Sequence, residues 1–414
     1  MDRISGLADE LLIKILLLVP TKVAVSTSIL SKRWEYLWMW LPKLEFGHRH
    51  SSPSESKSLE CFLERNLPLH RAPVIKTLRL DLDSDFKSEN IKMWVMVAVS
   101  HCIRKLKIVY SSYPEKPNIL PSNLYTSKSL VTLKLQGDIL LDAPRMVSLP
   151  SLKILQLTEV RYSSEESFQR LLSNSPVLED PSVELNCDTH AMGKLTVVVP
   201  PLQRLSLYIP ADYEIVGVVI KTPSLKYFKL IDYNTESHYY LIENMPDLIE
   251  AHLDVEFPNI ESLMASVTSV KRLAICSEAM YGEGVAFTQL EHLKLCSCKE
   301  HLPNLLFRLL EDSSNLQVLK IFHMSTAHEL TGMGYLNLPS TVPECLFSSL
   351  QTLNWWGYKG TPEEREIVVY ILQNAHHLKT AAITSFEHEV PKFEMIKELA
   401  QSSRASATCQ LMFH

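Results

Sequence analysis

The most regular feature of the hydrophobic pattern is an apolar residue followed three and five positions later by two more. This triplet occurs eleven times between residues 75 and 355. Successive triplets mostly begin 20 to 28 residues apart. A period of this length predicts a repeat array in which each unit adds one strand and covers the apolar side of its neighbour. The triplets are Ile75-Leu78-Leu80, Ile103-Leu106-Ile108, Leu130-Leu133-Leu135, Leu152-Leu155-Leu157, Leu202-Leu205-Leu207, Leu225-Phe228-Leu230, Leu248-Ala251-Leu253, Val270-Leu273-Ile275, Leu290-Leu293-Leu295, Leu316-Leu319-Ile321 and Leu350-Leu353-Trp355.

The alternation inside each triplet predicts a strand with one buried side and one solvent-facing side. The period lies in the range of leucine-rich repeats, so we expect a solenoid of parallel strands. One repeat is irregular, because Pro181 falls where a strand residue would donate a ladder hydrogen bond. We expect a bulge or a broken strand at that point.

The most apolar run of the chain is residues 7–20 (LADELLIKILLLVP). Its apolar residues recur at helical spacing, Asp9 and Glu10 suit a helix start, and Pro20 ends the run. A signal peptide would begin with net positive charge, whereas residues 1–10 carry three acidic residues against Arg3 alone. The run is also shorter than the roughly 20 apolar residues of a membrane span. We therefore expect an amphipathic helix.

Two further short helices are predicted directly after this one. Thr21 and Ser31 are placed to cap them, and Pro42 ends the second. A three-helix unit of roughly 40 residues has little core of its own. The first helix nevertheless carries apolar residues nearly all round. Such an excess indicates a docking partner or a neighbouring part of the chain.

The composition of the chain argues against several classes of protein. The apolar fraction of 46% and the charged fraction of 21% are those of a globular protein. The net charge of −6 argues against a broad nucleic-acid surface. Eight cysteines are spread from Cys61 to Cys409 without a dense framework, which is typical of free thiols in a reducing compartment.

The sequence offers no catalytic constellation. It contains no phosphate-binding loop, no dinucleotide-binding glycine motif and no nucleophile elbow. Cys296 and Cys298 are too closely spaced for a zinc knuckle, and His292 and His301 add only a weak indication of a metal. We interpret residues 363–366 (EERE) as a solvated helix start. We expect no enzyme, no metal site and no cofactor.

Residues 2–16 (DRISGLADELLIKIL) and 18–38 (LVPTKVAVSTSILSKRWEYLW) resemble the plant-type F-box. The resemblance implies docking onto the Skp-type adaptor of a cullin-based ubiquitin ligase. Ala8 stands where the family usually has proline, and its effect through the unfolded state should not exceed about 1 kcal/mol. We expect Leu16→Asp or Trp34→Ala to abolish docking. The residues that match the family pattern, divided between adaptor contact and internal core, are Ile4, Leu7, Leu11, Leu12, Ile15, Leu16, Val19, Pro20, Leu30, Trp34, Leu37 and Trp38.

The C-terminal part carries a second resemblance. Residues 342–360 (VPECLFSSLQTLNWWGYKG), a predicted helix over residues 363–373 and a closing stretch over 402–413 resemble the FBD domain that follows leucine-rich repeats in plant F-box proteins. Strands are predicted over residues 350–355 and 378–383, on either side of the helix. We expect this domain to cap the open end of the array, because an uncapped end would expose an apolar layer.

These patterns predict an α/β chain in four parts. Residues 1–46 form a three-helix F-box, and residues 47–58, with five serines, form an exposed linker. Residues 59–340 form an irregular leucine-rich-repeat solenoid, and residues 341–414 form an α+β cap of the FBD type.

The function that the resemblance implies is recognition of a target protein for ubiquitination, in the nucleus or the cytoplasm. The partners would be the adaptor, through it a cullin, and an unknown target protein, with no nucleic acid and no membrane. Two alternatives stay open: a receptor gated by a small hormone, and a binding scaffold outside the ligase. The solvent-facing strand positions on the concave face that we expect to contact the target are Lys134, Gln156, Ser206, Lys229, His252, Lys294 and Lys320.

Overall fold

Parallel strands form the framework of the molecule, and several repeats add a second, short strand to the one in the main sheet. A computed structural model describes residues 4, 6–47, 53–112, 117–185, 193–211, 213–235, 238–256, 259–277, 279–300, 302–322, 336, 338–385 and 392–414. The chain divides into two units, Met1–Val199 and Pro200–His414.

The first unit begins with short helices and continues as a parallel sheet. Its helices are α1 (Asp9–Leu16), α2 (Thr21–Ser26), α3 (Pro53–Asn66), α4 (Ser88–Ser100) and α5 (Glu165–Ser173), with 3-10 turns at Thr27–Ile29, Trp34–Trp40, Leu67–Leu69 and Ser122–Thr126. Its strands are β1 (Lys43–Gly47), β2 (Thr77–Asp83), β3 (Lys105–Ser111), β4 (Asn118–Ile119), β5 (Thr132–Gly137), β6 (Ile139–Leu141), β7 (Ile154–Thr158), β8 (Arg161–Tyr162), β9 (Asp180–Glu184) and β10 (Lys194–Val198). Strands β1, β2, β3, β5, β7 and β9 pair in that order, each parallel to the next.

The second unit repeats the same arrangement. Its strands are β11 (Arg204–Ile209), β12 (Gly217–Lys221), β13 (Tyr227–Asp232), β14 (Tyr239–Ile242), β15 (Glu250–Val255), β16 (Arg272–Ser277), β17 (His292–Cys296), β18 (Val318–Phe322), β19 (Thr352–Trp356), β20 (Thr380–Thr384) and β21 (Gln410–Phe413). Its helices are α6 (Glu261–Ser266), α7 (Leu302–Glu311), α8 (Glu344–Ser348), α9 (Pro362–Asn374) and α10 (Lys392–Gln401). Strand β11 is followed across the sheet by β13 and then by β15 through β21, all parallel.

The apolar triplets form the core, as the sequence predicts. Every member of the eleven triplets has 2% or less of its surface exposed. Pairing aligns equivalent residues, so Leu78 faces Leu106 and Leu106 faces Leu133 across successive strands. The predicted leucine-rich-repeat fold is confirmed, and so are the C-terminal strands and helix, which appear as β19, α9, β20 and β21.

The prediction of a bulge or a break at Pro181 is wrong. Strand β9 runs through this residue, and Leu155 of β7 pairs with it in regular register. The Asp180 N–H donates to the Lys153 carbonyl at 3.0 Å. Backbone donors alternate between the two sides of a strand, so the N–H that Pro181 lacks lies on the side away from β7. The proline therefore removes no hydrogen bond from this pairing.

The described part of the predicted linker, Gly47 and residues 53–58, lies in regular secondary structure. Gly47 ends strand β1, and helix α3 begins at Pro53. The serines at positions 54, 56 and 58 thus belong to a helix whose Leu63 is fully buried. Strand β1 was missed because five residues are too few for a periodicity, although Leu44 and Phe46 point into the core.

His70 joins the N-terminal helices to the first repeat. Its Nε2–H donates to the Leu41 carbonyl at 3.1 Å, and its ring lies against the rings of Trp38 and His101. Burial, and secondarily the charge of His101, lowers the pKa of His70 to about 4. The neutral imidazole is therefore the form that the folded chain accommodates.

This burial predicts a loss of stability in mild acid. As the pH falls from 6.5 towards 4, the unfolded chain protonates His70 but the folded chain does not. Stability from this site is complete above pH 6.5, and about 2 kcal/mol of it should be lost at pH near 5. Urea unfolding of wild type and His70→Gln at pH near 7.5 and 5 measures the difference. Equal pH dependence of the two proteins would contradict the assignment.

Glu364 corrects the expectation that the start of helix α9 is solvated. Its side chain is 3% exposed, while Glu366 is exposed. The Glu364 carboxylate accepts the Lys359 N–H at 2.7 Å and the Thr361 N–H at 3.3 Å, and Thr361 Oγ1 accepts the Glu364 N–H. Burial raises the pKa of Glu364, and these backbone donors oppose the rise. The glutamate is thus a buried helix cap.

Removing this cap should destabilise the C-terminal strands and helix. Glu364→Ala leaves buried backbone donors without an acceptor, which should cost about 1–3 kcal/mol of unfolding free energy. Glu366→Ala, in the same helix turn but exposed, should change it by less than about 0.5 kcal/mol. Thermal unfolding of both variants tests this, and equal midpoints would show that the cap carries no stability.

Candidate interaction surfaces

The N-terminal helices separate their apolar residues into a buried set and an exposed set. On α1, Leu12 and Leu16 are buried, whereas Leu11 and Ile15 on the adjoining side are exposed. No helix in the described ranges is long and apolar enough to cross a membrane, and α1 has only 8 residues. Leu11 and Ile15 thus form an apolar side of α1 that the described residues of the chain leave uncovered.

The predicted adaptor residues divide between these two sets. Solvent reaches Ile4, Leu11, Ile15, Val19, Pro20 and Leu30, and Leu7 is half-buried. The internal core holds Leu12, Leu16, Trp34, Leu37 and Trp38. Because Leu16 and Trp34 are core residues, the substitutions expected to abolish docking would first disrupt the helices themselves. The exposed set is the better test.

Further exposed apolar residues of the N-terminal helices were not among the predicted adaptor residues. Leu18 is 85% exposed and Ile29 is 88% exposed, and Val23 on α2 is also exposed. Together with the exposed predicted residues, they make an apolar surface that we call the N-terminal docking surface. A soluble monomer rarely leaves so many large apolar side chains exposed on so short a segment unless a partner covers them.

Polar contacts hold the helices in place. Arg33 bridges back to Asp9, with its Nη2 at 2.7 Å from Oδ1, and also donates to the Leu7 carbonyl. The sequence suggested that Thr21 caps α2, but Pro20 occupies the cap position. The Thr21 hydroxyl instead accepts the Glu45 N–H of β1 at 2.9 Å. These bonds fix the docking surface to the first strand.

Ala8 occupies the cap position of α1. Its φ of −62° is the angle that a proline ring imposes. The helix therefore starts in the geometry that the usual proline would favour, and the substitution changes the freedom of the unfolded chain rather than the folded shape.

A second candidate surface lies on the solvent-facing side of the sheet in the second unit. Strand register places side by side a row that begins at Ser206 and continues as Lys229, His252, Ala274, Lys294, Lys320 and Asn354. We call this the lysine row. Five of the seven predicted target-contacting residues belong to it.

The other two predicted residues lie in the equivalent row of the first unit. There, register aligns Arg79 with Lys107, Lys107 with Lys134, Lys134 with Gln156 and Gln156 with Ser182. The structure thus places all the predicted target residues at solvent-facing strand positions, in one row within each unit.

The lysine row is positively charged although the chain has a net charge of −6. It includes three lysines, and its members named above include no aspartate or glutamate. Burial lowers the pKa of His252, and the charges of Lys229 and Lys294 lower it further. In the next row, Arg272 is paired with Glu250 at 3.0 Å. Within the described ranges none of the row's three lysines forms an ion pair, so the lysine row presents a net positive charge.

A small hollow interrupts the lysine row. Ala274 carries a single methyl group between longer neighbours, and His252, Arg272, Lys294 and Lys320 contribute to its walls. Its volume of about 230 Å³ is below the range of roughly 300–1,000 Å³ typical of small-molecule pockets. The hollow has the size of a single side chain of a partner.

The structure also brings together three thiols that sequence spacing did not connect. Cys276, Cys296 and Cys298 are buried, and their sulfurs all lie within 4.8 Å of one another. The signal was in the repeats, since Cys276 and Cys296 directly follow the third anchor of successive triplets. His292 lines the hollow instead, and His301 lies outside the described residues. Hydrogen bonds among the thiols and burial raise the pKa of Cys276, so this thiol is not an activated nucleophile.

Comparisons with known proteins agree with this architecture. Residues 4–46 match the F-box domain, residues 91–240 match the leucine-rich repeats of the FBD-associated F-box protein At5g56370, and residues 337–383 match the FBD domain. These matches confirm the resemblance to plant F-box, leucine-rich-repeat and FBD proteins.

Whole-length relatives come from Arabidopsis thaliana. The FBD-associated F-box protein At4g10400 is 59% identical over 414 residues, covering 100% of both chains. The FBD-associated F-box protein At5g38590 is 50% identical, covering 97% of this chain and 98% of the relative. The putative F-box/FBD/LRR-repeat protein At4g00315 is 44% identical, covering 100% of both. The chain therefore belongs to the family of FBD-associated F-box proteins with leucine-rich repeats.

Proposed function

We propose that this chain is the target-recognition subunit of a ubiquitin ligase built from a Skp-type adaptor and a cullin. The observation that carries the proposal is the N-terminal docking surface, in which exposed leucine and isoleucine side chains lie on a module matching the F-box. Proteins of this kind generally serve as adaptors rather than enzymes. The adaptor would cover the exposed apolar residues and connect the chain to the cullin, in the nucleus or the cytoplasm.

The chain would accelerate ubiquitination by proximity. It holds the target near the enzyme that carries activated ubiquitin, so that a bimolecular encounter becomes an intramolecular one. No residue of this chain then needs to take part in bond making. The F-box would occupy residues 1–46, the repeats residues 59–340 and the FBD domain residues 341–414.

The lysine row is the surface that we assign to the target. Lys294 and Lys320 project from the adjacent strands β17 and β18, Lys229 projects from β13 in the same row, and the hollow at Ala274 can take one partner side chain. A target segment rich in aspartate and glutamate complements this row. Opposite charges of this kind guide association and suppress wrong partners.

Adaptor binding should depend on exposed residues of α1. The double substitution Leu11→Asp and Ile15→Asp removes two apolar contacts and places charges in the interface. Each lost side chain is worth about 1.5–3 kcal/mol, so affinity for a plant Skp-type adaptor should fall at least about 100-fold. Titration calorimetry or surface plasmon resonance with the purified full chain measures this.

The matched control is Met146→Asp, at a position that is 80% exposed and outside the N-terminal helices. It should bind the adaptor like wild type. Both variants should keep the wild-type circular dichroism spectrum, since neither changes a core residue. A folded wild-type chain that does not bind the adaptor would contradict the proposal and leave a scaffold outside the ligase.

Target binding should depend on the charge of the lysine row. The test variant combines Lys229→Glu, Lys294→Glu and Lys320→Glu. Candidate targets are proteins that co-purify with wild type and accumulate when the chain is absent, and they should no longer co-purify with this variant. Adaptor binding should be unchanged. A control triple at Lys226, Lys271 and Lys379 makes the same change of charge at exposed positions outside the row. Retention of the same targets by the row variant would show that the target binds elsewhere.

A further inference from the structure

Cys276, Cys296 and Cys298 form a compact group of sulfur atoms in the second unit. The Cys296 and Cys298 sulfurs are 3.0 Å apart, and the Cys276 and Cys298 sulfurs are 3.2 Å apart. Among the described residues, these three form a group of potential metal ligands whose atoms all lie within 4.8 Å. Three soft sulfur ligands are thus close enough together to bind a single ion.

The register of the repeats creates this group. Ile275 pairs with Leu295 across β16 and β17, and each is followed directly by a cysteine. Side chains alternate along a strand, so both cysteines leave the leucine core and lie on the same side of the sheet as Ala274 and Lys294. Cys298 follows two residues after the end of β17.

The chain after β17 covers the group. Lys299 pairs with Glu256 at 3.1 Å, and Glu256 directly follows β15. The segment after β17 therefore reaches back across the end of β16, where Cys276 lies. As a result, none of the three cysteines is more than 2% exposed, although two of them stand on the solvent-facing side of their strands.

We propose that Cys276, Cys296 and Cys298 bind one cuprous ion in three-coordinate thiolate geometry. Thiolates select soft ions such as Cu(I), whereas structural zinc sites require four ligands. With metal–sulfur bonds of about 2.3 Å, sulfurs in a trigonal site lie about 4 Å apart, so the sulfurs need only small outward shifts. A disulfide would use two thiols and leave the third unexplained.

Binding involves no oxidation or reduction. Each of the three thiols releases its proton to solvent, and three sulfur–copper bonds form with Cu(I) supplied as such. The product carries two negative charges, and the positively charged Lys299 lies next to Cys298 in sequence. The ion would join the ends of β16 and β17 to the segment that covers them.

The test uses the full-length chain, reduced and free of metal, under anaerobic conditions. Cu(I) is supplied as its complex with a chromogenic chelator, and loss of the complex's colour reports transfer to the protein. Wild type should take up one ion per chain, and its thermal midpoint should rise. X-ray absorption spectroscopy at the copper edge should show three sulfur atoms bound to the copper ion and no bound oxygen or nitrogen atom.

Variants assign the site. Cys276→Ser and Cys298→Ser should each weaken Cu(I) binding at least 100-fold and remove the thermal shift. Cys345→Ser, at another buried cysteine of the same unit, should bind like wild type. If a serine variant fails to fold, the alanine variant at the same position, Cys276→Ala or Cys298→Ala, is used instead because it keeps an apolar side chain. Absence of Cu(I) transfer to folded wild type, equal binding by all variants, a preference for zinc, or a disulfide found by mass spectrometry without metal would each overturn the proposal.

Discussion

The in-register parallel pairing of buried anchors is the constraint on which the rest of this structure depends. Leu78, Leu106 and Leu133 show the principle, because each covers the apolar side of the one before it. A slip of one residue would turn every anchor towards solvent and every polar neighbour inward. Gly137 shows how tight the stack is, since a Cβ at that position would lie 2.2 Å from the Tyr110 carbonyl oxygen. Register is therefore strongly specified in every repeat.

The same register arranges what lies on the other side of the strands. Lysines from distant parts of the sequence form one row because their flanking leucines are aligned, and two cysteines become neighbours for the same reason. The residues that we propose for binding therefore occupy the strand positions that do not take part in the leucine core. The N-terminal docking surface follows a different rule, since its exposed residues are apolar. Binding there should depend on buried area, while binding at the lysine row should depend on salt concentration.

The sequence predicted the anchors and their burial well, because an apolar residue at every second strand position has one stable arrangement. It was less informative where the outcome depends on which side of an element a group faces. Pro181 leaves the pairing of β9 with β7 regular because its missing donor lies away from β7. Glu364 is buried because the turn before α9 offers backbone donors that charge patterning cannot reveal. Cys276 could be linked to Cys296 only by comparing equivalent positions of adjacent repeats.

Hydrogen–deuterium exchange of the full chain, with and without a plant Skp-type adaptor, tests the central claim most directly. The account predicts slower exchange on adaptor binding within residues 9–40 and unchanged exchange in β13, β15, β17 and β18, which carry Lys229, His252, Lys294 and Lys320 of the lysine row. Such a result would show that the chain engages the ligase at one surface while the other stays open for a target. Protection of those strands by the adaptor, or unchanged exchange throughout the N-terminal helices, would contradict it.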